Sequence, residues 1–594
     1  MKKYILFIVL LVSSFGYAQN DYLLAENYFR GGEYEKATTV FKKLYDNSPF
    51  NTTYLQRLIS CYQETNQFVR AEELLKTKIQ SNPSLVFLYV YLGYNYERQQ
   101  QKETASIYYE KALSAIDKKS NYSGIIAGIF KNYSLLDYAI TAYEKAMENN
   151  PRVNYNFQIA QIYGEKGAFK KMFQSYIELI DKKPDYLKNV QRYASKYITE
   201  DPANENNILF RKTLLRKSAS NPKDVWNVLL SWLFAQQKEY GKAFLQERAL
   251  YQRNPENLSQ VFLLGKIAFE NADYDTATQI FTFVNNEASL QEDKFEANLY
   301  LVNISIKTKS DQTENLFQTL FTTFGKNEAT IKLQVLYADY LTFQKNNAPK
   351  AIAILKSALA FSNSKFDKAR IKLKLGEVLV FTGKNNKALI YFSQVQTQLK
   401  NHPLAQQATF KVAQTSYFKG DFTWAKAQLK ILKSATTQLI ANDAVDLFLT
   451  ITDNEPVDSI PSGLTAYAKA ELLAFQKKDQ EAVVILKDIL ENFKGQPIED
   501  EALFKQATLF IKLKAFENAI GNFKKIIQGN PEGILRDDAH YALAELYNNQ
   551  LNNPEKASEH YQKIIFDFAS SIYLVDARKK FRELRGDTLY IRKK

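Results

Sequence analysis

Cysteine is almost absent from this chain. Cys61 is the single one in 594 residues, so no disulfide within the chain is available to staple it. No histidine lies near Cys61 in sequence, and a small packed residue is expected there rather than a nucleophile. Histidine is nearly as scarce, occurring only at His402, His540 and His560. No two are spaced i, i+4, and neither HExxH nor CxxC occurs, so no metal-ligand set is assembled. His540 and His560 fall on different helices of one expected hairpin, where they could face each other; an exposed pair is the expectation. Glycine (20) and proline (14) are sparse. No Gly-rich phosphate loop and no GxSxG elbow is present. Carboxylates are plentiful, but no pair stands out as acid and base. No catalytic, cofactor-binding or metal residue is therefore assigned, and an enzyme with an unrecognised site ranks last among the readings.

Long apolar runs are also missing after the first few residues. Tyr4–Val12 is one such run, preceded by Lys2 and Lys3 and followed by Gly16-Tyr17-Ala18. Charged start, short apolar stretch and small residues at two spaced positions make a secretory signal peptide over 1–18. The run is short for a membrane span, which leaves an uncleaved anchor as the alternative. No cysteine follows it to carry a lipid. The mature chain is expected to begin at Gln19 and to be exported. Lys and Arg (78) exceed Asp and Glu (64), giving a net charge of +14. Export removes nucleic acid as a partner for that excess. Anionic head groups, acidic glycans or an acidic protein remain, beside the favoured reading of a solvated lysine-rich surface.

What the chain has is a period. Ala37, Ala71, Ala105 and Ala139 stand 34 residues apart. Tyr28, Tyr62, Tyr96 and Phe130 keep the same step, as do Leu24, Leu58, Leu92 and Ile126, and Phe41, Leu75, Tyr109 and Tyr143. Prolines end the units at Pro49, Pro83 and Pro151. Within each unit the apolar residues recur at helical spacing, and Gly31-Gly32 breaks the first helix. A Cβ-only side chain lets two helices of a hairpin approach closely, and the aromatic fills the gap to the next hairpin. Aromatics, at 14%, are abundant for this reason.

The pattern of small, aromatic and terminal proline positions resembles the tetratricopeptide repeat (TPR) family. The resemblance implies an all-α fold, a right-handed α-solenoid of antiparallel helical hairpins (a TPR superhelix), in which each unit packs only on its neighbours. Its expected divisions are a 34-residue array over 19–186, a degenerate hairpin or bend over 187–223, and a central array over 224–452. A linker over 453–463 and a C-terminal array over 464–594 follow. In 19–186, Met172 replaces the small alanine and should loosen its hairpin. The later small-residue column, Ala351, Ala388, Ala425, Ala482, Ala519 and Ala557, has steps of 37, 37, 57, 37 and 38. The extra residues lengthen a helix by about one turn, and this half is similar to the longer TPR variant of periplasmic envelope proteins. The 57-residue step marks an insertion with an additional helix at 439–451. Asp453–Gly463 is either a hinge or a surface loop, the loop being favoured. A basic helix at 574–584 should cap the stack.

The resemblance also implies a role. The concave face of such an array is lined by the first helices and accepts an extended or helical segment of another protein. Outward positions of those helices include Gln56, Phe87, Val90, Tyr94, Phe157 and Gln161. Phe87 and Tyr94 either anchor a peptide or pack inside the superhelix. The lysine and asparagine clamp of chaperone-binding TPR domains is replaced here by Tyr22 and Glu26. The expected function is a non-catalytic scaffold of the bacterial envelope, in the periplasm or on the periplasmic face of the outer membrane, without cofactor. Its partners would be other envelope proteins or peptides, with a peptidoglycan-binding module as the alternative.

Overall fold

The computed structural model describes residues 21–432, 438–456, 462–529, 531 and 533–586. The expected signal peptide lies outside them, as does 457–461 of the expected linker. The described residues are all-α: 79% of them are helical, in 32 α-helices, with no strand among them. The chain divides into two compact units, Met1–Thr276 and Ala277–Lys594.

In the first unit the hairpins run in sequence. They are α1 (21–30) with α2 (Tyr34–Asn47), α3 (Thr52–Glu64) with α4 (Phe68–Ser81), and α5 (Leu88–Glu97) with α6 (Lys102–Lys118). Next come α7 (Ser123–Asn132) with α8 (Leu136–Asn149), α9 (Asn156–Glu165) with α10 (Phe169–Lys182), and α11 (Leu187–Ala194) with α12 (Glu205–Ser220). The last are α13 (Asp224–Gln236) with α14 (Tyr240–Arg253) and α15 (Ser259–Glu270), followed by α16 (Tyr274–Glu287), inside which the two units divide. Ala37, Ala71, Ala139 and Ala243 are wholly buried and Ala105 is 2% exposed, as close helix approach requires. The ring of Tyr109 meets Phe130 and Tyr138 of the following hairpin at 5.4 and 4.9 Å.

Met172 does not loosen its hairpin. It is wholly buried, and its sulfur lies 3.0 Å from where a Cβ at Gly164 would stand. The missing side chain on the first helix makes room for the long one on the second. The expected bend at 187–223 is a short helix, a loop and a long helix. The loop is held by Asn207, which is fully buried. Its Nδ2 donates to the carbonyls of Thr199 and Asp201 at 2.8 and 2.6 Å, and its Oδ1 accepts from Thr199 N–H at 3.2 Å.

The second unit continues with α17 (Gln291–Lys307) and α18 (Thr313–Phe324), α19 (Ile331–Phe343) and α20 (Ala348–Phe361), then α21 (Lys365–Phe381) and α22 (Asn385–Gln398). It goes on with α23 (Pro403–Phe418) and α24 (Phe422–Ile431), the inserted α25 (Gln438–Asp453), and α26 (Leu464–Phe475) with α27 (Asp479–Asn492). It ends with α28 (Ile498–Lys512) and α29 (Phe516–Gln528), α30 (Arg536–Asn549) and α31 (Pro554–Asp567), and the closing α32 (Leu574–Arg585). Ala351, Ala388, Ala425, Ala482, Ala519 and Ala557 are all wholly buried. At one edge the first-helix ends converge: Phe343 lies 5.3 Å from Phe381 and 5.7 Å from Phe475, and Phe418 lies 6.1 Å from Phe475. Gln476 then donates to the Val380 carbonyl at 3.2 Å.

The hairpin turns share one backbone device. Gly32, Asn66, Gln100 and Ser134 all have φ between 57° and 76°. The N–H of the next residue reaches back five positions, as in Gln67 to Tyr62 O at 2.7 Å and Leu135 to Phe130 O at 2.8 Å. This left-handed helix stop satisfies carbonyls that the helix end leaves open.

Candidate partner-binding face

The six residues expected on the groove divide. Gln56, Tyr94, Phe157 and Gln161 are half-buried, whereas Phe87 is 6% exposed and Val90 wholly buried. Those two lie in the core, and the groove assignment is corrected for them. Phe87 is the N-cap of α5, already at helical φ −64° and ψ −20°, and the start of this helix packs into the core with Leu88 and Tyr91. Tyr94 stacks on Tyr133 at 3.7 Å with planes 15° apart, and Phe157 meets Tyr193 edge-on at 4.9 Å. Both rings pack against their own chain.

What joins consecutive first helices is a set of ion pairs. In the first unit Arg57 grips Glu26 through two bonds of 2.5 and 3.1 Å. Arg98 reaches Glu64 at 3.3 Å, and Lys131 reaches Glu165 at 2.7 Å. In the second unit Lys332 pairs with Glu296. Further pairs are Lys374 with Asp339 at 2.6 Å, Lys411 with Glu377 at 3.1 Å, Lys505 with Glu471 at 2.7 Å and Lys580 with Glu545 at 2.5 Å. Partners stand one repeat apart, so each pair bridges two hairpins. Half-exposed pairs of this kind contribute up to about 1 kcal/mol each. Their larger effect is to fix which residues of neighbouring hairpins face each other.

Glu377 is the most enclosed of the second-unit acids in these pairs, its side chain 15% exposed between Lys374 and Lys411. Burial alone would raise its carboxyl, but the two ammonium groups outweigh that and hold it below the usual carboxylate range. Further along, Tyr417 donates to Glu471 at 2.9 Å. Burial, with the Glu471 charge, pushes the Tyr417 phenol well up, so it serves as a donor and not as an acid.

The chemistry-bearing residues picked out by scarcity do not form a reactive site. Cys61 is wholly buried, and burial pushes its thiol up to about 12, which leaves no thiolate at neutral pH. His540 and His560 do face each other, with Nδ1 atoms 3.0 Å apart, but they are not an exposed pair. His540 is 6% exposed, and burial followed by His560 lowers it to about 4. The pair is a neutral hydrogen bond between α30 and α31. Among the described residues no three His, Cys, Asp or Glu side chains come together to hold a metal ion.

Family models of the tetratricopeptide repeat match residues 19–50, 88–118 and 501–532. No curated protein matches the chain in sequence. Among solved structures, yeast Tom70 is 13% identical over 80% of this chain and 99% of its own, with a TM-score of 0.30. The APC/C hetero-tetramer Cut9–Hcn1 is 13% identical over 95% and 96%, with a TM-score of 0.23. Naa15/Naa10 bound to HypK-THB is 12% identical over 96% and 97%, at 0.26.

Proposed function

We infer that this chain, a tetratricopeptide-repeat protein, is a non-catalytic scaffold that holds segments of other proteins along the faces of its first helices. The observation that supports this most is the ladder of ion pairs. Within each unit it joins neighbouring first helices and leaves rows of charged, amide and phenolic side chains along them. Such a row suits recognition of an extended segment. Nothing in it pairs a nucleophile with a base.

The proposed setting is the bacterial cell envelope, reached by export through the 1–18 leader, in the periplasm or against the outer membrane. Amino-terminal sequencing of the envelope-resident protein should begin at Gln19. Chemical crosslinking of intact envelopes, followed by purification of the tagged chain, tests the role. Defined protein partners at stoichiometric yield are expected. Recovery with the sacculus and with no protein would overturn the scaffold in favour of glycan binding. The stacked Tyr89, Tyr108 and Tyr96, whose rings lie 6.3 and 5.4 Å apart, are the feature such an outcome would turn on.

A further inference from the structure

Between α28 and α30 the pattern of acid facing base is broken. Glu501 and Asp538 stand 37 residues apart, one repeat step, and both are acids. Asp500 adjoins them on α28, and Asp453 ends the inserted α25. No Lys or Arg among the described residues forms an ion pair with any of the four, whereas Glu471 on α26 has Lys505 and Glu545 on α30 has Lys580. Asp538 accepts only a neutral donor, the Tyr573 hydroxyl at 2.8 Å. Burial first, and then the charges of Glu471, Asp538, Asp453 and Asp500, push Glu501 up to about 7. The acids crowd one another in a chain that carries a positive excess elsewhere.

Asp453, Asp500 and Glu501 border a cavity of about 740 Å³ that Asn454 and Glu499 also line. Lys494 and Lys525 stand exposed on the same lining and form no ion pair with these acids. Carboxylates in the first turn of α28 are favoured by its helix dipole, which accounts for Glu499 and Asp500. It does not account for Asp453 at the opposite end of a different helix, nor for Asn454. That asparagine is 3% exposed. Its Nδ2 donates to the Thr450 carbonyl at 2.9 Å, but its buried Oδ1 has no partner. An orphaned buried acceptor is destabilising, a cost that a donor entering the cavity removes.

The donor that fits is extended and cationic. The acids do not converge on a point as metal ligands would, so a bare divalent ion finds no oxygen shell. A guanidinium spreads five N–H donors across a plane and remains charged throughout. It can meet carboxylates at the end of α25 and the start of α28, and the amide oxygen of Asn454 beside Asp453. We propose that the cavity between the end of α25, the start of α28 and the loop before α30 receives an arginine side chain from a segment of a partner protein. This rests on the scaffold reading above and names the chemistry of one of its contacts.

The test titrates the full chain with a fluorescein-labelled hexa-arginine peptide, read by anisotropy near physiological salt. The variant carrying Glu501→Gln and Asp500→Asn should bind at least about tenfold more weakly. Asn454→Ala should weaken binding in the same direction. Glu73→Gln, which removes a charge from an exposed position on α4, should leave binding unchanged. Equal weakening by Glu73→Gln, equal affinity for hexa-lysine, displacement of the peptide by calcium ions, or no binding by the wild type would each overturn the proposal. Circular dichroism distinguishes lost binding from lost folding. Envelope partners captured equally by wild type and the doubly substituted chain would leave the scaffold standing without this contact. Absence of any partner would remove the scaffold while the titration still decides the cavity.

Discussion

Gly376 gives its side-chain volume to Phe392. A Cβ at Gly376 would lie 2.3 Å from that ring, which is wholly buried on the second helix of the same hairpin. Gly93 and Tyr109 stand in the same relation at 2.4 Å. Gly376→Ala should therefore destabilise the chain by about 1–3 kcal/mol through overpacking, although alanine is the better helix former by about 1 kcal/mol. The melting temperature should fall, and Phe392→Leu in the same chain should restore part of the loss. Additive losses in that double substitution would show that the two residues do not share a volume.

The alanine column was legible because one small residue recurs at a fixed step. The glycine pairs were not, since Gly93, Gly164 and Gly376 recur at no common step and each is defined by a bulky partner on another helix. The ion-pair ladder escaped for a related reason. Glu377 and Lys411 are a repeat apart, and nothing local marks either as half of a pair. For Phe87 and Val90 the position within a repeat does not set the direction in space: both side chains are buried at the start of α5. Spacing alone could set His540 and His560 on facing helices but not show that they are buried, because a neutral imidazole pair satisfies its polar atoms internally.

The turns were also hidden, because glycine is often absent where the backbone is left-handed. Lys514 has φ 59°, and its side chain is exposed. A non-glycine residue in that region costs about 1–2 kcal/mol, part of which glycine returns through its greater freedom when unfolded. Lys514→Gly should stabilise the chain by about 0.5–1 kcal/mol. Lys524→Gly, inside α29, should destabilise it by a similar amount. Denaturant midpoints moving in opposite directions would confirm the turn; a shift downward for both would contradict it.

Glu377 should make the second unit acid-sensitive. Its neighbours from each packed helix are Asp339 on α19, Lys374 on α21 and Lys411 on α23. Because its folded carboxyl is held below the usual range, its contribution is present above its unfolded value of 4.5 and is lost as pH falls. Glu377→Gln strands Lys411 in a largely buried site and should cost about 3 kcal/mol near neutral pH. The difference from wild type should shrink in acid. A gap of equal size at about pH 3 would mean that the charge is not what stabilises the site.

Glu501 should act in the opposite sense. Facing it are Glu471 from α26, Asp538 from α30, Asp453 from α25 and Asp500 beside it, while Lys505, one turn on, is taken by Glu471. Its carboxyl is raised from 4.5 to about 7. Between those values the folded chain holds a proton that the unfolded chain has released. The stabilisation is full below 4.5 and is lost as pH rises through 7. Glu501→Gln keeps the neutral form at every pH. It should match wild type near pH 4.5 and exceed it at pH 8 by about 2 kcal/mol after allowance for solvent screening. A polycationic peptide seated among these acids should narrow that gap by favouring the charged form. Melting curves of both chains at the two pH values, with and without hexa-arginine, measure this directly. A gap independent of pH, or one that the peptide widens, would show that the acids around Glu501 do not repel one another as their crowding requires.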